Sequence, residues 1–171
     1  MTFMMQVNDG GVTNDHPYFM NFDAVILSGD LIPLTLPLVQ ATWPVVDMTS
    51  WRTYVEFFNN PGASQESGIV GLRDPAGCFC GLFAYRLDMD LVFGRLLAVH
   101  FFTAVDVANS PSTIRALLDT AETRAQELNC AAVRIGLCNG QEELASRLST
   151  LGLKSETGQF WKKVDHRAVT N

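Results

Sequence analysis

The chain has 171 residues, of which 47% are hydrophobic and 18% charged, and its formal net charge at pH 7 is −6. This length suits one domain that buries about two-thirds of the surface of its unfolded form. The negative charge, without a basic stripe, excludes a general nucleic-acid binder. The high apolar fraction indicates wide burial, a deep ligand cleft or a self-association surface, so a homo-oligomer stays open.

The cysteines show no metal-binding spacing, and we expect no metal site. Cys78 and Cys80 lie two positions apart in an apolar run, which places both side chains on one face of a strand. We interpret the cysteines as small buried hydrophobic residues of a cytoplasmic protein. Residues 24–46 are apolar, but Asp30, Gln40 and three prolines interrupt them, so we expect core and loop and no membrane segment.

The two ends of the chain differ from its middle. Residues 1–21 mix Gly, Asn, Asp and Met without a period, which predicts a loose N-terminal arm. Alternatively, Phe19 and Phe22 pin this arm to the body. We therefore place one domain at residues 22–165 and a C-terminal tail at residues 166–171.

The first elements are a strand, two helices and a hairpin. Residues 24–27 predict a short strand, residues 31–43 a helix that prolines break, and residues 49–58 a second helix. Residues 68–73 and 78–87 flank the sequence Asp-Pro-Ala-Gly, which suits a type I turn and predicts an antiparallel hairpin.

The second half alternates strands and helices. After a loop that carries Asp88 and Asp90, residues 96–107 predict a long strand, which leads into an amphipathic helix over residues 111–128. A buried strand, a short helix and a pair of short strands follow. The buried strand spans residues 131–138, the short helix residues 141–151 and the pair of short strands residues 153–164. The order predicts a mixed α/β sheet.

The turn between the long strand and its helix is a candidate anion site. A strand that feeds a helix N-terminus directs free backbone amides at a ligand. Here, however, Ser110 and Pro111 suit the cap and the first position of the helix. An ordinary capped helix without a ligand therefore remains the alternative.

The order of elements, with AVDV at residues 104–107, STIRALL at 112–118 and LSTLGL at 148–153, resembles the GNAT superfamily of acyl-CoA N-acyltransferases. The resemblance implies a single domain whose mixed, mostly antiparallel central sheet carries helices on both faces. It also implies direct transfer of an acyl group from acetyl-CoA or another acyl-CoA to an amine. The expected partners are this small-molecule acyl donor and an amine acceptor, with strand backbone gripping the pantetheine arm.

The resemblance places the acyl-CoA beside the end of the long strand and the turn after it. The residues that it assigns to cofactor binding are Ala104, Val105, Val107, Asn109, Ser110, Ser112 and Thr113. This turn departs from the family pattern, because Asn109 stands at the Gln or Arg position and Ser112 and Ile114 stand at the two glycine positions. Pro111 has no amide hydrogen, which removes one phosphate donor.

Two residues are candidates for catalysis by resemblance. His100 falls near the Glu that many members use as general base, and an imidazole with a pKa of about 6.5 can do that work. A hydrogen-bonded core histidine is the alternative. Asn139 matches an Asn that often follows the fifth strand, although Asn139 with Glu142 is also a helix-cap arrangement. Leu148 stands where many members have a Tyr that protonates the leaving thiolate.

Aromatic residues are the remaining clue to the acceptor. They line an acceptor or acyl pocket, or they pack the core. These residues are Trp51, Tyr54, Phe57, Phe58, Tyr85, Phe101, Phe102, Phe160 and Trp161. Asp88 and Asp90 recognise a cationic amine or are solvated loop carboxylates. Two other functions stay open: a catalytically degenerate GNAT-like binding or regulatory module, and an unrelated α/β domain that associates through its apolar surface.

Overall fold

The computed structural model describes residues 22–59, 66–105, 112–137, 141–156 and 159–164, so the predicted arm and tail lie outside it. The strands are β1 (Asp23–Ile26), β2 (Ser67–Arg73), β3 (Phe79–Asp90), β4 (Gly94–Ala104), β5 (Ala132–Gly136), β6 (Lys154–Glu156) and β7 (Gln159–Lys163). The helices are α1 (Ile32–Thr42), α2 (Met48–Phe58), α3 (Ser112–Glu127) and α4 (Glu142–Thr150), and a 3-10 turn at Gly29–Leu31 precedes α1. Within the described ranges, no helix is both long enough and apolar enough to cross a membrane.

The strands form one sheet in the order β1-β2-β3-β4-β5-β7-β6. All neighbours pair antiparallel except β4 and β5, which pair in parallel from Leu96 opposite Ala132 to Val99 opposite Ile135. Helix α3 connects these two strands, as a parallel crossover requires. The predicted mixed α/β sheet and the hairpin of β2 and β3 are therefore confirmed.

The β3–β4 hairpin is tighter than predicted. Asp88 and Asp90 belong to β3, and Asp90 pairs with Gly94 across the hairpin, so the predicted loop for these carboxylates is wrong. The Asp90 side chain accepts hydrogen bonds from the amides of Val92 and Phe93 at 2.8 and 3.0 Å, which closes the turn within three residues.

Two further expectations need correction. Helix α1 runs through Pro37 without a break, although Pro37 supplies no amide to the ladder. Its buried face, with Leu38 and Val39 against the sheet, offsets that loss. Cys80 is buried as expected, and burial raises the pKa of its thiol to about 11. Cys78, by contrast, is exposed because it ends the turn before β3.

Each face of the sheet has its own core. Helices α3 and α4 cover one face, where Gly81 allows close contact: a Cβ there would lie 2.5 Å from Leu117 of α3. Helices α1 and α2 cover the other face. Helix α2 starts at Asp47, whose carboxylate accepts the amide of Ser50 at 2.8 Å. It ends after a buried stripe at helical spacing that consists of Trp51, Val55 and Phe58.

A β-bulge interrupts β4 at His100. Ala84 of β3 lies opposite Phe101 and the next residue, Tyr85, lies opposite Val99, so His100 is the extra residue. A bulge bends the strand and increases its twist. The pairing of β4 with β5 also ends at Val99, directly before the bulge. The bulge therefore lies where the described pairing of β4 with β5 ends.

Candidate functional site

The first feature of the site is the open edge of β4. Beyond Val99, residues 100–104 continue the strand, and none of the described strands pairs with them on the β5 side. A cavity of about 340 Å³ lies at this edge, between the ends of α1 and β4 and the helices α3 and α4. We call it the cleft cavity; its lining includes Thr42, Thr103, Ala104, Ile114, Gln141 and Arg147.

The backbone of β4 faces the cleft at alternate residues. Val105 donates its amide to Cys80 of β3 at 2.9 Å, so this amide points away from the cleft. Successive residues of a strand direct their backbone groups to opposite sides, which turns those of Phe102 and Ala104 to the cleft. The Phe102 carbonyl accepts the Gln141 side chain at 3.2 Å. The Gln141 side chain thus occupies a backbone acceptor on this strand edge.

One arginine and one glutamate are the charged side chains in the described lining of the cleft cavity. Arg147 of α4 lines the cavity and forms a 2.8 Å ion pair with Glu143, one turn earlier in the same helix. Its side chain is 30% exposed, so a ligand can reach it. A guanidinium has five donors and can bind a phosphate while it keeps a carboxylate partner.

The residues predicted to bind the acyl-CoA have different positions. Ala104 lines the cleft cavity, and Val105 is 38% exposed at the end of β4. Ser112 is the first residue of α3. Thr113 is only 5% exposed, and its hydroxyl interacts with the Cys80 thiol in the core, away from the cleft. Val107, Asn109 and Ser110 lie outside the described residues.

A second cavity lies on the other side of the end of α1. It has a volume of about 350 Å³ between α1, α2 and β4. We call it the aromatic cavity; its lining includes Val39, Trp43, Trp51, Tyr54, His100 and Phe101. Of the described residues that line it, none is an acid, a lysine or an arginine.

The walls of the aromatic cavity are rigid. Trp43 stacks on Phe101 with ring centroids 4.6 Å apart, and Trp51 lies 5.8 Å from both Phe101 and Tyr54. The buried indole of Trp51 donates to the Ile32 carbonyl at 3.2 Å and to a Thr35 hydroxyl at 3.0 Å, both in α1. These bonds fix α2 against α1 and leave no indole donor unsatisfied.

His100 lies in the bulge and reaches the aromatic cavity. It is exposed, its ring is 6.0 Å from that of Phe58, and it makes no hydrogen bond to another described residue, so it is not a core histidine. Although His100 reaches solvent, the protein around it removes part of its hydration, which lowers its pKa, and the Arg86 and Arg134 guanidiniums lower this pKa further. Neutral imidazole is the form that accepts a proton, so this environment favours a base at neutral pH.

Charged side chains form a row beside His100. Arg86 of β3 and Arg134 of β5 lie opposite Ala98 from its two sides. Asp88 forms an ion pair with Arg134 at 2.5 Å, and this hydrogen bond lowers the pKa of Asp88. The row follows from register, because residues opposite one another point to the same face of a sheet.

The aromatic residues named from the sequence divide between the two faces. Trp51, Tyr54 and Phe101 line the aromatic cavity, whereas Tyr85, Phe102 and Phe160 belong to the core under α3 and α4. Phe57 is 65% exposed. Asp88 is bound to Arg134, and Asp90 closes the hairpin turn. Neither carboxylate lines the aromatic cavity.

The two remaining catalytic positions add no acid. Asn139 lies outside the described residues. Leu148 is fully buried in α4, so the position of the expected Tyr contributes packing only. The part of the chain that the structure describes also holds no cluster of histidine, cysteine or carboxylate side chains suited to a metal.

Several site residues had no signal in the sequence. Gln141 and Arg147 belong to the short predicted helix at residues 141–151, whose sequence carries no functional motif. Trp43 is the last residue of the helix predicted at residues 31–43 and has no motif around it. Arg86 and Arg134 lie on different strands and are 48 residues apart in the chain. Only the register of β3, β4 and β5 brings these two arginines to His100.

No protein-family model matches the chain, and no curated protein matches it in sequence. Solved structures do match its fold. An aminoglycoside N-acetyltransferase in complex with CoA superposes with a TM-score of 0.68 at 9% identity, over 90% of this chain and 99% of that one. The ribosomal-protein-S18-alanine N-acetyltransferase from Escherichia coli gives a TM-score of 0.61 at 9% identity, over 88% and 99%.

A third structure has the same architecture. Spermidine N-acetyltransferase from Vibrio cholerae, in complex with CoA and spermine, gives a TM-score of 0.63 at 9% identity, over 85% of this chain and 96% of that one. At these identities the likeness is one of fold. The chain has the fold of the GNAT acetyltransferases, as the order of its elements indicates.

Proposed function

We propose that the protein is an N-acyltransferase that moves an acyl group from acetyl-CoA, or another acyl-CoA, to an amine. One observation carries this proposal: the end of α1 and the second half of β4 contribute residues to the lining of both the cleft cavity and the aromatic cavity. The open edge of β4 lies in the first cavity and His100 in the second. Direct transfer between two substrates needs two adjoining sites of this kind.

The cleft cavity suits the acyl-CoA. In this proposal the pantetheine amides bind the backbone of Phe102 and Ala104, and they displace the Gln141 side chain from the Phe102 carbonyl. Arg147 binds a phosphate in place of the glycine amides that the turn before α3 lacks. Val107, Asn109, Ser110 and Ser112 remain candidate contacts of the same ligand.

The chemistry at His100 is general-base catalysis. The ammonium group of the acceptor first loses a proton to solvent water to become a free amine, whose nitrogen then attacks the thioester carbonyl. His100 accepts the second nitrogen proton as the C–N bond forms, the C–S bond breaks and CoA leaves as a thiolate. Since thiols have a pKa of about 8.5, the thiolate can leave without a general acid, which suits the leucine at position 148.

Turnover separates this function from its alternatives. The purified protein is incubated with acetyl-CoA and a panel of amines, and the release of free thiol is followed together with the mass of the acylated product. CoA binding is measured in parallel by thermal shift. We expect binding and amine-dependent thiol release. CoA binding without transfer to any amine would indicate the non-catalytic binding module, and absence of CoA binding would exclude both acyl-CoA functions.

A further inference from the structure

The aromatic cavity selects for an apolar group. Its volume of about 350 Å³ suits a small organic moiety, and rings of Trp43, Trp51, Tyr54 and Phe101 form its walls. The Trp51 donor is already satisfied within the protein, so this side chain offers the cavity only its apolar surface. A hydrocarbon group gains free energy when it enters such a site, whereas a polar one loses hydration.

The charged row beside His100 selects for an anion. Arg86 is exposed and makes no ion pair with another described residue. Arg134 is bound to Asp88, which leaves this row with a net charge of one positive unit. Ala98, whose small side chain is buried, is the residue of β4 that pairs with both arginines, so no larger side chain stands between them in the row. A carboxylate would bind Arg86 with charge-assisted hydrogen bonds.

His100 lies between these two features. It lines the aromatic cavity, and in β4 it follows Ala98, which pairs with both Arg86 and Arg134, by two residues. An acceptor that binds both the aromatic cavity and the charged row therefore has an apolar group, an anionic group and an amine between them. An α-amino acid has this arrangement, because all three groups branch from one carbon.

We propose, on the basis of the proposed N-acyltransferase function, that the acceptor is a free α-amino acid with a large apolar side chain. The side chain enters the aromatic cavity, the carboxylate binds Arg86, and the amine meets His100. The product is then the N-acyl amino acid, with CoA as the second product. Polyamines are poor acceptors, since the lining of the aromatic cavity offers no carboxylate to their second charge and the row beside it is net positive.

The test is a binding experiment that does not depend on catalysis. Phenylalanine, leucine, alanine, phenylalaninamide and spermidine are titrated calorimetrically into the full chain, with and without CoA. We expect phenylalanine or leucine to bind about tenfold or more tightly than alanine, because the apolar side chain is buried. We expect phenylalanine to bind about tenfold or more tightly than its amide, because only the acid has the carboxylate.

A variant pair assigns the carboxylate site. Arg86→Gln should reduce the difference between phenylalanine and phenylalaninamide to about twofold or less. Arg52→Gln, an exposed arginine of α2 outside the aromatic cavity, should leave this difference unchanged. An unchanged difference in Arg86→Gln would overturn the carboxylate assignment even where phenylalanine binds.

Binding and turnover together distinguish this inference from the proposed function. Phenylalanine binding without acyl transfer would support the amino-acid site and refute the activity. Transfer to spermidine, with no binding of phenylalanine or leucine, would support the activity and refute the amino-acid site. Equal affinity for phenylalanine and alanine would also refute the amino-acid site, because the aromatic cavity would then contribute nothing.

Discussion

The two cavities beside α1 differ in what forms them: mainly side chains in the aromatic cavity and mainly backbone in the cleft cavity. Aromatic side chains form the walls of the aromatic cavity, and their rings contact one another. The cleft cavity depends on backbone: its main feature is a strand edge that lacks a neighbour among the described strands. One protein side chain, Gln141, currently occupies that edge.

This difference predicts how each cavity tolerates substitution. A cavity made of packed rings is sensitive to truncation, because loss of one ring removes contacts from the others. A strand edge presents the same amide and carbonyl groups whatever its side chains are, so the cleft tolerates divergence in sequence. The glycine-free turn before α3 is consistent with this tolerance.

The largest expected effect is on stability, from Trp51→Ala. This change removes a ring that is 2% exposed together with its two hydrogen bonds to α1. We expect the free energy of unfolding in urea to fall by about 3 to 5 kcal/mol. Phe57→Ala in the same helix is the control, since Phe57 is 65% exposed and should change stability by about 0.5 kcal/mol or less. Similar losses of unfolding free energy in the two variants would contradict a rigid wall of the aromatic cavity at Trp51.

The next effect is on chemistry, from His100→Gln. We expect kcat to fall by about 100-fold or more while the Kd for CoA stays within about twofold, because a general base acts on the acceptor. Steady-state kinetics and CoA titration give the two numbers. If the variant keeps full kcat, His100 is not the base and the imidazole only contacts Phe58.

The pH dependence sharpens the role of His100. Burial and the Arg86 and Arg134 guanidiniums lower its pKa from 6.5, and Asp88 opposes them weakly. The neutral, active form therefore persists below pH 6.5, and kcat should decrease only as pH falls through this lowered pKa. An NMR titration of the imidazole protons, assigned by their loss in His100→Gln, measures the pKa directly. A value above 6.5 would contradict the electrostatics of the site.

Arg147→Gln tests the arginine that lines the cleft cavity. We expect the affinity for CoA to fall by about tenfold, because a charge-assisted bond to phosphate is lost. Pantetheine, which has no phosphate, should bind both proteins equally and so serves as the matched ligand control. An equal loss of affinity for CoA and for pantetheine would mean that Arg147 acts by stabilising α4 through its ion pair with Glu143.

The smallest effect is a gain, from Gln141→Ala. This change frees the Phe102 carbonyl for a pantetheine amide, and we expect CoA to bind roughly twofold to tenfold more tightly. Gln126→Ala, at the exposed end of α3, is the control and should not alter the affinity. A weaker affinity in Gln141→Ala would show that Gln141 is itself a ligand contact.

Local patterns in the sequence were sufficient to predict most elements. Alternation and turn residues located the hairpin of β2 and β3, and helical spacing located α2 and α3. Two predictions, a break in α1 and a loop at Asp90, were wrong because other interactions outweigh the local sequence preference. Tertiary packing holds α1 continuous through Pro37, and a side chain that caps the turn lets Asp90 end a strand instead of lying in a loop.

The site was less predictable because it depends on register. The strand sequence around His100 gives no sign of a bulge, so regular alternation would place His100 and Phe101 on opposite faces. The structure places both in the lining of one cavity. Arg86 and Arg134 become neighbours only through pairing with Ala98, which a single sequence does not specify.

The bulge has a consequence for insertions and deletions. Without position 100, β4 would match β3 residue for residue, and Val99 and Phe101 would continue an ordinary ladder past Tyr85 and Ala84. The strand would lose its local bend. A deletion of one codon would therefore remove both the histidine and the bend of β4 in a single event. Gene variants that keep either feature should keep the length of this strand unchanged.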